Sequence, residues 1–208
     1  FRIADALGIE KLYLTGSSPV PPHPKIRKTS RAAEQFVAHA YHASALELVK
    51  QLREAGYTIV SLEITTQSRD IRELSSLSFS KVALIVGSEN TGIAQELLDA
   101  SDFTLHIPMF GQSSSMNLAT ACAIGAFELT RRFIKEAEAV AQLEHPNAVR
   151  LIALDKDPKY GLYMVLELLS GESLEVHLAR VKRLPLEQAC EWLLPIMDML
   201  EHAHAQGL

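Results

Sequence analysis

The stretch from Val82 to Leu118 constrains this chain most, because it states one plan twice in succession. Lys81 to Val86 (KVALIV) is a short apolar run, rich in β-branched residues, with the length of a buried strand, and Gly87 ends it. Ser88-Glu89-Asn90-Thr91-Gly92 is polar and turn-forming, and it hands over to a helix predicted across Ile93 to Leu98. Asp102 to Ile107 repeats the plan: a strand, Pro108 as breaker, a polar loop, then a helix opened by Ser115 or Asn117 as N-cap. Strands alternating with helices imply an α/β layer with a mostly parallel sheet. Two strand ends lying side by side, with backbone amides and short polar side chains, make a ligand crevice.

The preceding residues fit the same class. Phe1 to Leu7 is helix-like and stops at Gly8, a C-cap candidate; Leu12 to Leu14 is a strand ending at Thr15-Gly16. Ser17 to Pro24 is a proline-rich loop, followed by a basic cluster of Lys25, Arg27, Lys28 and Arg31 that reads as a solvated loop or a grip on phosphates. Glu34 to Tyr41 is ambiguous between helix and strand. Ala45 to Ala55 is an amphipathic helix with Leu46, Val49 and Leu52 inward and Gly56 as its cap, and Tyr57 to Leu62 is the next strand. Helical character then runs from Asn117 to about Leu143, interrupted only by Gly125.

Composition removes several classes. With 48% hydrophobic and 22% charged residues over 208 positions, the chain can bury a core, in one domain or two small ones. The net charge of −5 is unevenly placed: residues 1–133 carry 13 basic and 13 acidic side chains, and residues 134–208 carry 7 and 12. A nucleic-acid partner is therefore permitted for the first part. Cys122 and Cys190 lie far apart within helical patterns and read as buried thiols of a reducing compartment. No apolar run suits a membrane span and no signal peptide is visible, so a cytoplasmic location is expected; the opening on Phe1-Arg2 reads as a piece of a longer chain. His39 and His42 would share a helical face, but without Cys or carboxylate partners no metal is expected. The Gly87 loop has neither the G-x-G-x-x-G of a dinucleotide site nor the G-K-[ST] of a P-loop, and Ser113-Ser114-Ser115 is no G-x-S-x-G elbow.

Gly87, Glu89 and Gly92 as G-x-E-x-x-G, then Ile107-Pro108-Met109 and Ser115-x-Asn117, resemble the SpoU/TrmH branch of the SPOUT RNA methyltransferases over about residues 1–132. The resemblance implies an α/β trefoil-knot domain, with S-adenosyl-L-methionine as methyl donor to a ribose 2′-hydroxyl of tRNA or rRNA. It also implies a homodimer whose paired protomers complete the RNA site. Arg2 falls at the family's motif-one arginine beside the reacting ribose. Because a guanidinium stays protonated, its expected role is to bind the adjacent phosphate and the developing alkoxide. Glu89, Ser115 and Asn117 match the supporting residues of the second and third motifs. Gly87, Ile107 and Met116 occupy positions whose backbone contacts the donor, with Ser114 as a neighbour. Lys25, Arg27, Lys28 and Arg31 become candidate RNA contacts.

Residues 133–208 resemble something else. Phe133 to Ala137, Leu143-Glu144-His145-Pro146-Asn147 and Val149 look like the αC helix and following turn of a Ser/Thr protein kinase. Tyr163 to Glu167 resembles the strand leading to the hinge, with Leu166 at the gatekeeper position; Gly171 to Leu174 fits the next helix start, and Ala203 to Leu208 the approach to the catalytic loop. The expected architecture there is an incomplete α+β segment with strands at Val149–Leu154 and Tyr163–Glu167. The glycine-rich cover, strand lysine, catalytic Asp and metal-binding Asp are all missing from it. Glu136 falls at the αC glutamate, but the strand lysine of that family is absent from the sequence, so no phosphoryl transfer is expected. The rival readings are a catalytically incomplete piece of a bacterial-type kinase and a non-catalytic module that holds RNA or cofactor without turnover.

Overall fold

The structure, a computed structural model, describes residues 1–76, 81–112, 115–157 and 161–208. They form two compact units: Phe1–Phe133 with Asp157–Leu162, and Ile134–Lys156 with Tyr163–Leu208.

In the first unit the chain runs through α1 (Arg2–Leu7), β1 (Leu12–Thr15), α2 (Pro24–Ser30), β2 (His39–His42), α3 (Ala45–Glu54), β3 (Thr58–Leu62) and β4 (Arg69–Asp70). It continues through β5 (Val82–Val86), α4 (Gln95–Asp99), β6 (Phe103–His106) and the long helix α5 (Leu118–Gln142). β1 and β2 pair in parallel as a small sheet. The main sheet has four strands in the order β4-β6-β3-β5, every pair parallel.

β3 is central, and its middle residues Ile59, Val60 and Ser61 are fully buried, as a strand covered on both faces requires. Ser61 keeps its hydroxyl satisfied by the Ser101 hydroxyl, 2.7 Å away. Val60, Ile71 and Leu105 form the core, flanked by Leu62, Val82, Leu84, Phe103, Ile107 and Leu129. Asp102 fastens the start of β6: it accepts from the Ile59 amide and from the Arg53 guanidinium, each at 2.8 Å. Gly125 explains itself here. A Cβ on it would sit 2.8 Å from a methyl of Leu62, which marks where α5 lies close on the sheet.

Strand order carries the main topological point. β6 lies between β3 and β4, although both precede it in the chain. Residues 63–68, which join β3 to β4, therefore pass the C-terminal end of β6. Two hydrogen bonds mark that crossing: the Glu63 amide donates to the Leu105 carbonyl at 2.9 Å, and the Ser68 hydroxyl pairs with His106 Nδ1 at 3.0 Å.

Several sequence expectations need correction. The basic cluster is not a loop: Pro24 starts α2 behind the His23 cap, so Lys25, Arg27 and Lys28 ride a helix and Arg31 ends it in the left-handed conformation. His39 and His42 share no helical face, since both stand on β2, which parallel pairing with β1 holds extended. α3 buries Leu48 and Val49 most deeply, one residue round from the expected Leu46–Val49–Leu52 stripe, and it ends at Glu54 with Ala55, not Gly56, as its C-cap. α4 covers Gln95–Asp99 rather than Ile93–Leu98, because the backbone is still extended at Ala94, which is the N-cap (φ −61°, ψ 144°). Burial pushes the Cys122 thiol up, whereas Cys190 is exposed, contrary to its reading as buried.

The second unit holds the end of α5, a two-stranded sheet of β7 (Leu151–Asp157) and β8 (Gly161–Leu166), α6 (Leu174–Val181) and α7 (Leu186–Ala205). Ser173 caps α6 by accepting from the Val176 amide at 3.3 Å. His145 pairs with Asp198 at 3.1 Å, and Asn147 donates to the Pro195 carbonyl at 3.3 Å, fixing the turn after α5 against α7. Among the described residues no helix is long and apolar enough to cross a membrane.

Candidate functional site

The sheet brings the ends of β5 and β6 to one edge, but not as neighbours: β3 stands between them. Its last residue and the one after it therefore belong to the crevice.

The loop after β5 is closed on itself. Ser88 and Gly92 exchange backbone hydrogen bonds at 3.1 and 3.0 Å, the Ser88 and Thr91 hydroxyls meet at 2.7 Å, and the Thr91 amide donates to Ser88 Oγ at 3.0 Å. This explains both glycines of the motif. A Cβ on Gly87 would lie 2.2 Å from the carbonyl carbon of Gly92. Gly92 has φ +64° and would drive a Cβ to 2.5 Å from Glu63 Oε2.

Glu63 is the residue that sequence reasoning missed. Oε2 accepts from the Ile93 amide at 2.9 Å and Oε1 from the Ile64 amide at 3.1 Å, so this carboxylate holds the base of the Gly87–Gly92 loop. A signal existed: Glu63 directly follows a predicted strand, and strand C-terminal ends are where α/β sheets place functional groups.

Glu89 and Asn117 meet across the crevice. The Asn117 amide donates to Glu89 Oε1 at 2.9 Å, joining residues 28 apart in sequence. The same side chain is the N-cap of α5, with Oδ1 accepting from the Ala119 and Thr120 amides at 3.0 and 3.3 Å. One asparagine thus opens the helix and clasps the two loops together. Gly87, Ile107 and Met116 are half-buried, while Glu89, Ser115 and Asn117 are exposed. Ser114 lies outside the described residues.

Arg2 is elsewhere. It lies on α1 in a shallow concavity of about 200 Å³ shared with Phe1, Ile3, Ile26, Thr29 and Ser30. Among the described residues it makes no hydrogen bond or ion pair with Glu89, Ser115 or Asn117. The structure does bring Arg2 beside α2, whose Lys25, Arg27 and Lys28 are exposed, as is Arg31. Below them the Ser30 hydroxyl donates to Glu34 and holds that carboxyl under its usual range. Among the described residues no group of three or more His, Cys, Asp or Glu could hold a metal ion.

Comparison with known proteins bears on this geometry. The sequence model of the SpoU rRNA Methylase family matches residues 1–127. The chain is similar to the tRNA (guanosine(18)-2′-O)-methyltransferase of Thermus thermophilus, 29% identical over 135 residues, covering 64% of this chain and 67% of that enzyme. The enzyme of the same description from Escherichia coli is 28% identical, with 63% and 56% covered. Among solved structures, the AdoMet-bound rRNA methyltransferase from Sinorhizobium meliloti superposes with a TM-score of 0.58 at 28% identity, covering 64% of this chain and 49% of that one. The SpoU methyltransferase AviRb from Streptomyces viridochromogenes, in complex with AdoMet, gives 0.56 at 26%, with 64% and 54% covered. The chain thus spans about half to two thirds of the length of these relatives.

Proposed function

The chain belongs to the SpoU rRNA methylase family, and from that premise we propose that residues 1–132 form an S-adenosyl-L-methionine-dependent methyltransferase domain acting on a ribose 2′-hydroxyl of tRNA or rRNA. Its named relatives act on tRNA guanosine, and structures of similar chains hold the methyl donor. The observation that carries the reading is the Asn117–Glu89 clasp, because it ties the two motif loops to each other.

When bound, the donor supplies an electrophilic methyl group on a sulfonium. The chain's own part is to position and exclude. Gly87, Ile107 and Met116 line the donor side, and Glu89, Ser115 and Asn117 hold its polar end and the approach of the hydroxyl. Arg2, with Lys25, Arg27, Lys28 and Arg31, binds backbone phosphate, and Arg2 stabilises the negative charge that develops on the attacking ribose oxygen. Arg2 makes no bond to the clasp of its own chain, which favours a homodimer in which one copy's arginine serves the other's loops. The passage of residues 63–68 across the end of β6 favours a trefoil knot. A cytoplasmic location follows from the substrate class.

For residues 133–208 we propose a partial kinase-like segment without phosphoryl-transfer activity. The order of helix, His145-Pro146-Asn147 turn, β7, β8, α6 and α7 supports this reading.

Calorimetry with S-adenosylhomocysteine and with ATP tests both assignments. We expect binding of the first and none of the second; ATP binding without a response to S-adenosylhomocysteine would reverse the assignment. Asn117→Ala should lower ribose methylation of transcribed RNA by on the order of 100-fold through lost positioning. It should also cost about 1 kcal/mol of stability through the lost cap. Arg2→Ala should abolish methylation while leaving S-adenosylhomocysteine affinity unchanged.

A further inference from the structure

Phe110 lies just beyond Ile107, in the loop leading from β6 to the clasp, and it is 88% exposed. Among the described residues no large apolar side chain of the first unit is more open to water. Its face is not empty: the Arg72 guanidinium stands 5.9 Å from the ring centroid, within cation–π range. Arg72 is held there rather than left to swing. Its Nε donates to both Asp70 oxygens, at 3.0 and 2.9 Å, and its backbone amide donates to Asp70 Oδ1 at 2.9 Å. The Arg72 side chain is nonetheless 66% exposed. A second cation, Arg69, is exposed on the edge strand β4, with its guanidinium 6.0 Å from the Phe103 ring. The outer edge of the main sheet therefore shows an exposed aromatic ring with an arginine held over one face, and another arginine nearby.

Resting on the RNA-methyltransferase reading, we infer that Phe110 and Arg72 form a stacking platform for an unpaired base of the RNA, with Arg69 meeting the adjoining phosphate. Unstacked bases are bound by aromatic faces and guanidinium planes, and the phosphates beside them by cations. A docked protein surface would call for a continuous apolar patch. Here the ring is followed by exposed Gly111 and Gln112 and flanked by charge.

The test uses the full chain with two fluorescein-labelled RNAs, a hairpin with a single-stranded loop and the fully paired duplex of its stem. Wild type should prefer the hairpin. Phe110→Ala should weaken hairpin binding by on the order of 10-fold and erase the preference, and Phe110→Trp should restore it. Calorimetry with S-adenosylhomocysteine and the sedimentation mass should be unchanged in both variants. Unchanged hairpin affinity in Phe110→Ala would overturn the inference. So would a lower mass, which assigns the ring to a second copy, or a lost S-adenosylhomocysteine response, which assigns it to the cofactor. A wild-type chain that binds S-adenosylhomocysteine but neither RNA would overturn the substrate class itself, and this platform with it.

Discussion

The two units treat their apolar side chains in opposite ways. In the first, strands on both sides of β3 and helix α5 leave Ile59, Val60 and Leu105 essentially without contact with water. In the second, Ala137 and Ala203 are the buried apolar residues among those described, while Leu168 is 98% exposed and Leu186, Leu169 and Met197 are largely open. The sheets explain the difference. A central strand with neighbours on each side and a helix above presents two faces to cover, and the first unit has the elements to cover them. A two-stranded sheet with two helices has too few layers to enclose its leucines. The proposed site follows the same division, since a site needs groups held by packing, and the clasp, the closed loop and Glu63 all stand on the packed unit.

The sharpest way to break this comparison is a matched pair of truncations. Leu105→Ala removes a side chain that is 1% exposed at the centre of the core, and it should cost about 2–5 kcal/mol. Leu194→Ala on α7 removes one that is 62% exposed and should change stability by less than about 0.5 kcal/mol. Denaturant titrations followed by circular dichroism would measure both. Equal losses would mean that the second unit has a core of its own.

Glu63 gives the next largest effect. Glu63→Ala leaves the Ile93 amide without its acceptor, which should cost about 1–3 kcal/mol and free the Gly87–Gly92 loop. Glu63→Gln keeps an acceptor oxygen and should recover most of the loss. If the loop presents the methyl donor, Glu63→Ala should raise KM for S-adenosylmethionine more than it lowers kcat. A variant with wild-type KM would reduce Glu63 to a purely structural tie.

Sequence revealed the first unit well where period and punctuation agree. The strands at Tyr57–Leu62, Lys81–Val86 and Asp102–Ile107 lie within a residue of β3, β5 and β6, and the Asn117 cap opens α5 as expected. The contact between the two motif loops was legible too, since both follow parallel strands. Order across the sheet was not: nothing local in Phe103–His106 says that it enters between β3 and β4, because that choice rests on long-range packing. For the same reason Glu63 stayed hidden, its role depending on β3 separating β5 from β6. The basic cluster reads as a loop because proline commonly ends one, yet proline after a capping residue also starts a helix, and Pro24 follows the His23 cap. In the second unit the expected β7 and β8 are present with shifted ends, as suits strands with few neighbours to fix them.

The smallest effect concerns acid. Each unit ties a carboxylate to an arginine: Asp70 to Arg72 in the first, Glu172 to Arg180 and His177 in the second. Hydrogen bonds from Arg72 bring the Asp70 carboxyl down to about 2, and His177 and Arg180 hold the Glu172 carboxyl below its usual range. A depressed folded-state pKa stabilises above the unfolded value and stops doing so as pH falls through the folded one. The Asp70 contribution is therefore intact above about pH 4 and disappears between about 4 and about 2. In both pairs the arginine is largely open to water, so screening keeps each contribution small. Asp70→Asn should flatten the dependence of the denaturant midpoint on pH in that window and leave the midpoint nearly unchanged as the acid limb ends. Glu172→Gln should do less to the cooperative transition, because the elements around it bury little. If Glu172→Gln moved the acid limb more than Asp70→Asn, the second unit would be contributing to the cooperative fold despite its exposed leucines, and the contrast between the two units would fail.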